Sequence, residues 1–186
     1  MRKIDINKIE AIKQSVLDLS WEKGVSNLTT AEISKKAGVS PATLYIHYYS
    51  KKDLISRLYE KVKVELQNGI SEVMVPQDDL HIKIKKTLYY AVQKYKKYPK
   101  KAKFVSTLWS NQDMLDKQAI KFGNEQNRII SDLVREILED GRYVNVSSSI
   151  LEIFLAIPTQ AIQQISILNG TEIDNIIDMV IKSLEK

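Results

Sequence analysis

Apolar residues recur along this chain at intervals of three and four almost from end to end. Ile6, Ile9, Ile12, Val16 and Leu19 fall on one face of a predicted helix that stops near Gly24, a residue suited to a helix end because it has no Cβ. A second helix opens at Thr29 or Thr30, where Thr29 and Glu32 have the spacing of a capping box, and it ends at Gly38. A third starts with Ser40 as cap and Pro41 at the first helical position, where a missing N–H costs nothing. Ser50 and Asp53 cap a fourth, which runs to about Val75-Pro76. Asp78 and Asp79 mark the start of a fifth, since negative charge is favoured at a helix N-terminus, and Pro99 separates it from a sixth. A seventh covers about 113–140 and is closed by Gly141. An eighth covers about 146–168, and a ninth is capped by Thr171 and Asp174. The pattern therefore predicts an all-α protein of about nine helices. Residues 1–50 form a three-helix N-terminal unit, 51–75 a connecting helix, and 76–186 a second helical unit.

The stretch 29–54, TTAEISKKAGVSPATLYIHYYSKKDL, has the organisation of a helix-turn-helix, in which the second helix enters a DNA major groove. Ile33, Ala37, Val39 and Leu44 supply the apolar seam between its two helices. Ala37 is small enough for close approach, and Gly38 accepts the turn. The face left outside comprises Pro41, Ala42, Thr43, Ile46 and His47. Thr43 offers a methyl and a hydroxyl, while Pro41, Ala42 and Ile46 offer only apolar contacts, such as a thymine methyl accepts. Tyr45, His47 and Lys51 are placed for phosphates, with the N–H groups that open the fourth helix. Thr30 and Ser40, at the starts of their helices, complete the candidate DNA-binding set.

Charge supports this division. The chain of 186 residues carries a net charge of +5, and residues 1–63 hold 12 Lys/Arg against 7 Asp/Glu, which is the whole excess. A polyanion-binding module needs such a concentration, although a solvated basic surface has the same look.

The same segment resembles the signature of the TetR family of bacterial transcriptional regulators. The likeness rests on Thr29-Thr30, Ile33, the run Ala37-Gly38-Val39-Ser40, Thr43-Leu44-Tyr45, His47-Tyr48 and Lys51-Lys52-Asp53-Leu54. Tyr48 stands where the family commonly has phenylalanine, with its hydroxyl expected at the surface. The resemblance implies a homodimer whose recognition helices enter successive major grooves of a near-palindromic double-stranded operator. It also implies that the C-terminal unit dimerises and holds an inducing ligand.

In that unit Ile150, Ile153, Phe154, Ile157, Ala161, Ile165 and Leu168 follow helical spacing, as do Ile173, Ile176, Ile177, Val180, Ile181 and Leu184. Both stripes are wide enough that some positions serve a core and others a four-helix interface between two chains. The candidate interface comprises Ile150, Ile153, Ile157, Ala161, Ile165, Ile173, Ile176, Ile177 and Val180. Pro158 interrupts the helical hydrogen bonding and implies a kink, which either shapes a cavity wall or lets the helix curve around its neighbours. Candidate ligand contacts are Tyr89, Phe104, Leu108, Trp109, Phe122, Gln126, Phe154 and Gln160, for each of which ordinary core packing is the alternative. With no buried charge in view they suit a small apolar or aromatic effector. The lysine-rich run 94–103, KYKKYPKKAK, reads as a solvated surface or a further DNA contact.

Enzymatic readings find no support in the residues. There is no cysteine, the two histidines His47 and His81 share no metal-ligand spacing, and Tyr90-x-x-x-Lys94 lacks the glycine-rich turn of a dinucleotide enzyme. No cofactor or metal is expected. The charged N-terminus and the lack of any long apolar run imply a cytoplasmic protein without a membrane span. The functional reading is a sequence-specific DNA-binding repressor released by a small molecule. The alternatives are a DNA-binding adaptor regulated by a protein partner, or an activator.

Overall fold

The computed structural model describes residues 6–165 and 168–186. Among the described residues, eleven α-helices and two 3-10 turns carry nearly the whole chain, and the only extended pairing is one bridge between Tyr143 and Glu185. None of these helices is long and apolar enough to cross a membrane.

Packing sorts the chain into two units, one of residues 1–66 with 100–125, the other of residues 67–99 with 126–186. The first holds α1 (Ile6–Lys23), α2 (Thr30–Ala37), α3 (Pro41–His47) and nearly all of α4 (Lys51–Gln67), α7 (Pro99–Ser110) and α8 (Lys117–Gln126). The second holds α5 (Ile70–Val73), α6 (Leu80–Lys97), α9 (Arg128–Glu139), α10 (Ser148–Gln164) and α11 (Gly170–Leu184). This division differs from boundaries at 50 and 76, and the reason is shared burial. Phe104, Val105, Leu108, Leu115 and Ala119 lie in one core with Ile12, Val16, Ile33, Leu44, Leu54 and Leu58.

Polar contacts tie the same parts of the first unit together. The Arg57 guanidinium meets the carboxylates of Asp53, Glu60 and Asp116. The Ser56 hydroxyl accepts the Asp116 N–H at 3.0 Å, and Lys52 Nζ donates to the Asp113 carbonyl at 2.9 Å. Asp116 also caps α8, accepting the Ala119 N–H at 2.8 Å. The 3-10 turn Gln112–Met114 and the start of α8 are thus bound to the first half of α4.

Four helix boundaries differ from the periodicity. The fourth helix breaks at Asn68-Gly69, because Gly69 takes the left-handed conformation (φ 96°) that a glycine alone enters freely. The freed Asn68 carbonyl accepts hydrogen bonds from Tyr90 OH at 3.0 Å and Lys94 Nζ at 2.8 Å. That is the role of the Tyr90/Lys94 pair. The stretch 113–140 is interrupted at Asn127, which separates α8 from α9. The last helix is capped by Asn169 and Glu172, whose side chains each bond the other's backbone N–H at 2.9 and 2.8 Å, so Thr171 and Asp174 lie within it. The eighth predicted helix closes at Gln164, with Ile165 as its C-cap, and positions 166 and 167 of that prediction lie outside the described residues. Helix α10 continues through Pro158, which is buried.

In the second unit Leu80, Ile84, Leu88, Val92, Leu133, Val134, Ile137, Leu151 and the inner face of α11 make the core. The chain end is pinned by Val144 N to Leu184 O at 2.8 Å and Lys186 N to Arg142 O at 3.0 Å. Arg142 itself pairs with Asp140 and with Asp79, the N-cap of α6.

The tightest approach in the first unit is at Gly123 on α8, where a Cβ would stand 2.5 Å from the Trp109 ring and 2.6 Å from the Tyr59 hydroxyl. Both neighbours are aromatic, and Tyr59 is fully buried. Gly123→Ala is therefore expected to destabilise by about 1–3 kcal/mol through overpacking, despite the helix propensity of alanine. Gly141→Ala, where no atom lies within 4 Å of the new Cβ, should leave the urea midpoint unchanged. An unchanged midpoint for Gly123→Ala would contradict this packing.

Candidate nucleic-acid interface

Every local device that positions α3 is made by a residue of the type that device requires. Thr29 caps α2: its side chain accepts the Glu32 N–H at 3.3 Å, and Glu32 accepts the Thr29 N–H at 3.2 Å. Lys23 and Lys36 pair with Glu32 and Glu22, joining α1 to α2. Lys23 and Thr29 together hold the Glu32 carboxyl down to about 2. Gly38 closes α2 in the left-handed conformation (φ 67°), and Val39 N–H reaches back to the Ser34 carbonyl at 3.0 Å. Ser40 then caps α3, accepting the Thr43 N–H at 3.1 Å, with Pro41 in the first turn. Ile33 and Leu44 are fully buried at the seam, while Ala37 and Val39 pack half-buried beside them.

That arrangement leaves Pro41, Ala42, Tyr45 and Ile46 exposed, Ile46 to 62%, with Thr43 and His47 half-buried. The Thr43 hydroxyl lies 2.9 Å from the Ser40 hydroxyl and is occupied within the cap. Thr30 Oγ1 and Tyr45 OH are 3.2 Å apart, which ties the tip of Tyr45 to α2. Lys51 Nζ donates one hydrogen bond to the Leu28 carbonyl at 2.9 Å, which positions its ammonium beside the start of α4. Tyr48 is buried, and its hydroxyl is pushed up to about 12 by that burial and by the Glu10 and Asp53 charges.

Periodicity missed Tyr49, which is 96% exposed between α3 and α4. Its N–H is held by Asp53 Oδ2 at 3.0 Å, and Ser50 Oγ accepts the Asp53 N–H at 3.1 Å, the exchange that opens α4. The lysine-rich run is largely engaged internally. Lys100 pairs with Asp18, Lys101 with Glu65, and Lys103 lies over the Trp21 ring.

The candidate ligand contacts divide between the two units. Phe104, Leu108, Trp109 and Phe122 belong to the first, where Phe104 and Leu108 are core. Tyr89, Gln126, Phe154 and Gln160 belong to the second. There Tyr89 and Phe154 pack partly buried on the core, Tyr89 OH donates to Asp174 at 2.6 Å, and Gln160 is exposed rather than a buried amide. The candidate interface residues divide as well. Ile173, Ile177 and Val180 are buried in the core of their own unit, which corrects their assignment to an interface between chains. Ile150, Ile153 and Ile165 are exposed at 44%, 60% and 50%, while Ile157, Ala161 and Ile176 are half-buried. Met179 on α11, not anticipated, is exposed to 70%. Among the described residues no cluster of three or more His, Asp or Glu is placed to hold a metal.

A short helix, capped at its start, anchored by one buried leucine and presenting an uncharged face, defines a helix-turn-helix DNA-binding protein. Residues 17–58 match the family model described as bacterial regulatory proteins, tetR family. The nucleoid occlusion factor SlmA of Vibrio cholerae is 25% identical over 150 residues, covering 78% of this chain and 76% of that protein. Two solved structures share the fold: a TetR family transcription regulator from Marinobacter aquaeolei (TM-score 0.80, 20% identity, all of both chains) and a regulatory protein of the family from Rhodococcus (TM-score 0.76, 14% identity, 96% of this chain and 97% of the other). Residues 17–58 thus carry a TetR-type helix-turn-helix DNA-binding segment, and the chain as a whole shares the fold of TetR-family regulators.

The α2 cap generates a pH prediction. Glu32 has a folded value of about 2 against an ordinary 4.5, so its contribution is fully present above about 4.5 and is lost as pH falls toward 2. Glu32→Gln is expected to flatten the acid limb of stability between those values while leaving the difference among pH 6, 7 and 8 unchanged. A parallel loss for both proteins below pH 4.5 would show that the pair with Lys23 and Thr29 contributes nothing.

Proposed function

We propose that the protein is a homodimeric repressor that binds a near-palindromic operator through α3 and leaves it when an effector binds the helical remainder. The observation that carries the reading is the face of α3, where Pro41, Ala42 and Ile46 are held outside by a fully buried Leu44 and a capped first turn. A face of this kind on a helix-turn-helix meets base edges, with Ser40, Thr43, Tyr45, His47 and Lys51 at its margins and Thr30 supporting Tyr45.

Dimerisation is supported by the exposed Ile150 and Ile153 on α10 and Ile165 at its C-cap, with Ile157 and Ala161 between them and Met179 on α11. Apolar residues at i, i+3 and i+7 on the outside of a helix fit helix-to-helix packing between two copies. A twofold dimer places its two recognition helices about one turn of DNA apart, or a multiple of it. For the effector, half-buried aromatic residues such as Tyr89, Trp109, Phe122 and Phe154 favour an apolar or aromatic small molecule. The likeness to the nucleoid occlusion factor favours a second reading, in which the protein acts on the nucleoid and responds to a protein partner.

Selection of bound fragments from the source genome, followed by sequencing, separates these readings. Enriched palindromes upstream of genes support the regulator, and sites scattered through coding sequence support the nucleoid factor. Expression from an enriched promoter then distinguishes repression from activation, and a thermal-shift screen finds the effector. Ile46→Glu is expected to abolish fragment binding with stability changed by no more than about 0.5 kcal/mol, the usual range for an exposed site. Ile153→Glu should sediment as a monomer and weaken operator binding roughly 100-fold or more by losing the linkage between half-sites. A dimeric Ile153→Glu protein with full affinity would move the interface elsewhere.

A further inference from the structure

The chemistry of the α3 face narrows what it reads. We infer that this protein reads each half-site chiefly through the C5-methyl groups of pyrimidines in the major groove. This rests on the assignment of α3 as the recognition helix. Two pyrimidines present that methyl: thymine, and cytosine methylated at C5.

The argument begins with what is missing from Pro41–His47. None of its seven residues is Arg, Lys, Asn or Gln, the side chains that pair bidentately with guanine or adenine. Of the polar side chains that remain, His47 is half-buried at the helix end, and the two hydroxyls each have a partner within the chain. The Thr43 hydroxyl is bound to Ser40 Oγ at 2.9 Å, and the Tyr45 hydroxyl lies against Thr30 Oγ1 at 3.2 Å. Thr43 is half-buried with its hydroxyl taken up in the cap, so the apolar groups it shares the helix with, those of Pro41, Ala42 and Ile46, make up the exposed face. Ile46 is 62% exposed and Tyr45 51%. Three neighbouring cations also have partners within the chain: Lys51 the Leu28 carbonyl, Lys52 the Asp113 carbonyl and Lys36 the Glu22 carboxylate.

An exposed apolar face gains most where it meets an apolar group and releases water from both. In the major groove the pyrimidine C5-methyl is the apolar group on offer, because the other base-edge features are hydrogen-bond donors and acceptors. Burying a methyl against a methyl is directional only through shape. Each contact is therefore modest, and specificity accumulates from several of them.

The test uses the full-length protein and an operator taken from the genomic selection, with affinity measured by fluorescence anisotropy at fixed salt. Each thymine is replaced in turn by deoxyuridine, which removes only the C5-methyl, and each cytosine in turn by 5-methylcytosine. The expected result is a loss of roughly fourfold per contacted thymine methyl, with the salt slope unchanged because no phosphate contact is touched. Ile46→Ala should remove the deoxyuridine penalty at its own base pair and leave it intact at the others. If instead methylating a cytosine tightens binding while deoxyuridine is neutral, methylcytosine is the source, and the inference stands. An operator indifferent to every methyl overturns it, and so does a penalty that persists unchanged at every base pair in Ile46→Ala, since DNA shape would then account for it. Failure to enrich any genomic fragment overturns the recognition reading and this inference together, whereas an enriched but methyl-indifferent operator overturns this one alone.

Discussion

Leu44 is the residue on which the interface depends. Helix α3 has seven residues, far below the length at which a helix is stable alone in water. Its backbone order comes from outside: the Ser40 cap and Pro41 at its start, and Leu44 fully buried against Ile33, Leu54 and the rest of the first core. Tyr48 adds a second buried anchor just past its end. With Leu44 and Tyr48 four apart on the inner side, residues 41, 42, 45 and 46 are turned outward. Truncating Leu44 would remove a buried side chain, a change typically worth several kcal/mol, and would release the recognition face with it.

The same core extends further along the chain than the helix-turn-helix motif does. Phe104, Leu108, Leu115 and Ala119 belong to it, and Arg57 gathers Asp53, Glu60 and Asp116 around one guanidinium. Three carboxylates share one cation there, and burial pushes the Glu60 carboxyl up. Asp53 also holds the Tyr49 N–H, so the turn that follows α3 and the start of α8 meet on the same arginine. A displacement of residues 113–116 acts on α4 through Ser56, Arg57 and Lys52 without passing through any other element.

The caps were the most legible part of the sequence, because they are set by the chemistry of a few adjacent residues. Thr29 with Glu32, Gly38, Ser40 with Pro41, and Ser50 with Asp53 all act as their residue types predict. Periodicity was a weaker guide, since it tells which face of a helix is buried but not what covers it. Ile173, Ile177 and Val180 have the spacing of an interface and are spent on their own core, while Ile150, Ile153 and Ile165 remain outside. Phe104 and Leu108 read as pocket residues for the same reason, though their partners lie about fifty and more residues away in α1 and α4. Helix breaks at Gly69 and Asn127 were hidden because the apolar spacing continues across both. Asn169 was passed over as a cap because Thr171 and Asp174 have a similar spacing two residues on.

The division of labour on α3 separates specificity from stability. Leu44 and the caps fix where the helix lies, and Pro41, Ala42 and Ile46 take little part in that, being outside the core. Their substitution leaves how the helix is held, and in the function proposed above it changes what is read. Lys51 is arranged differently: its ammonium bonds the Leu28 carbonyl, so a charge beside the DNA face also fastens the start of α4 to the end of the turn before α2. An exposed apolar face has its own cost, since it invites self-association wherever it is uncovered. On α3 that cost is limited to a patch three or four residues wide, set on a helix too short to extend it.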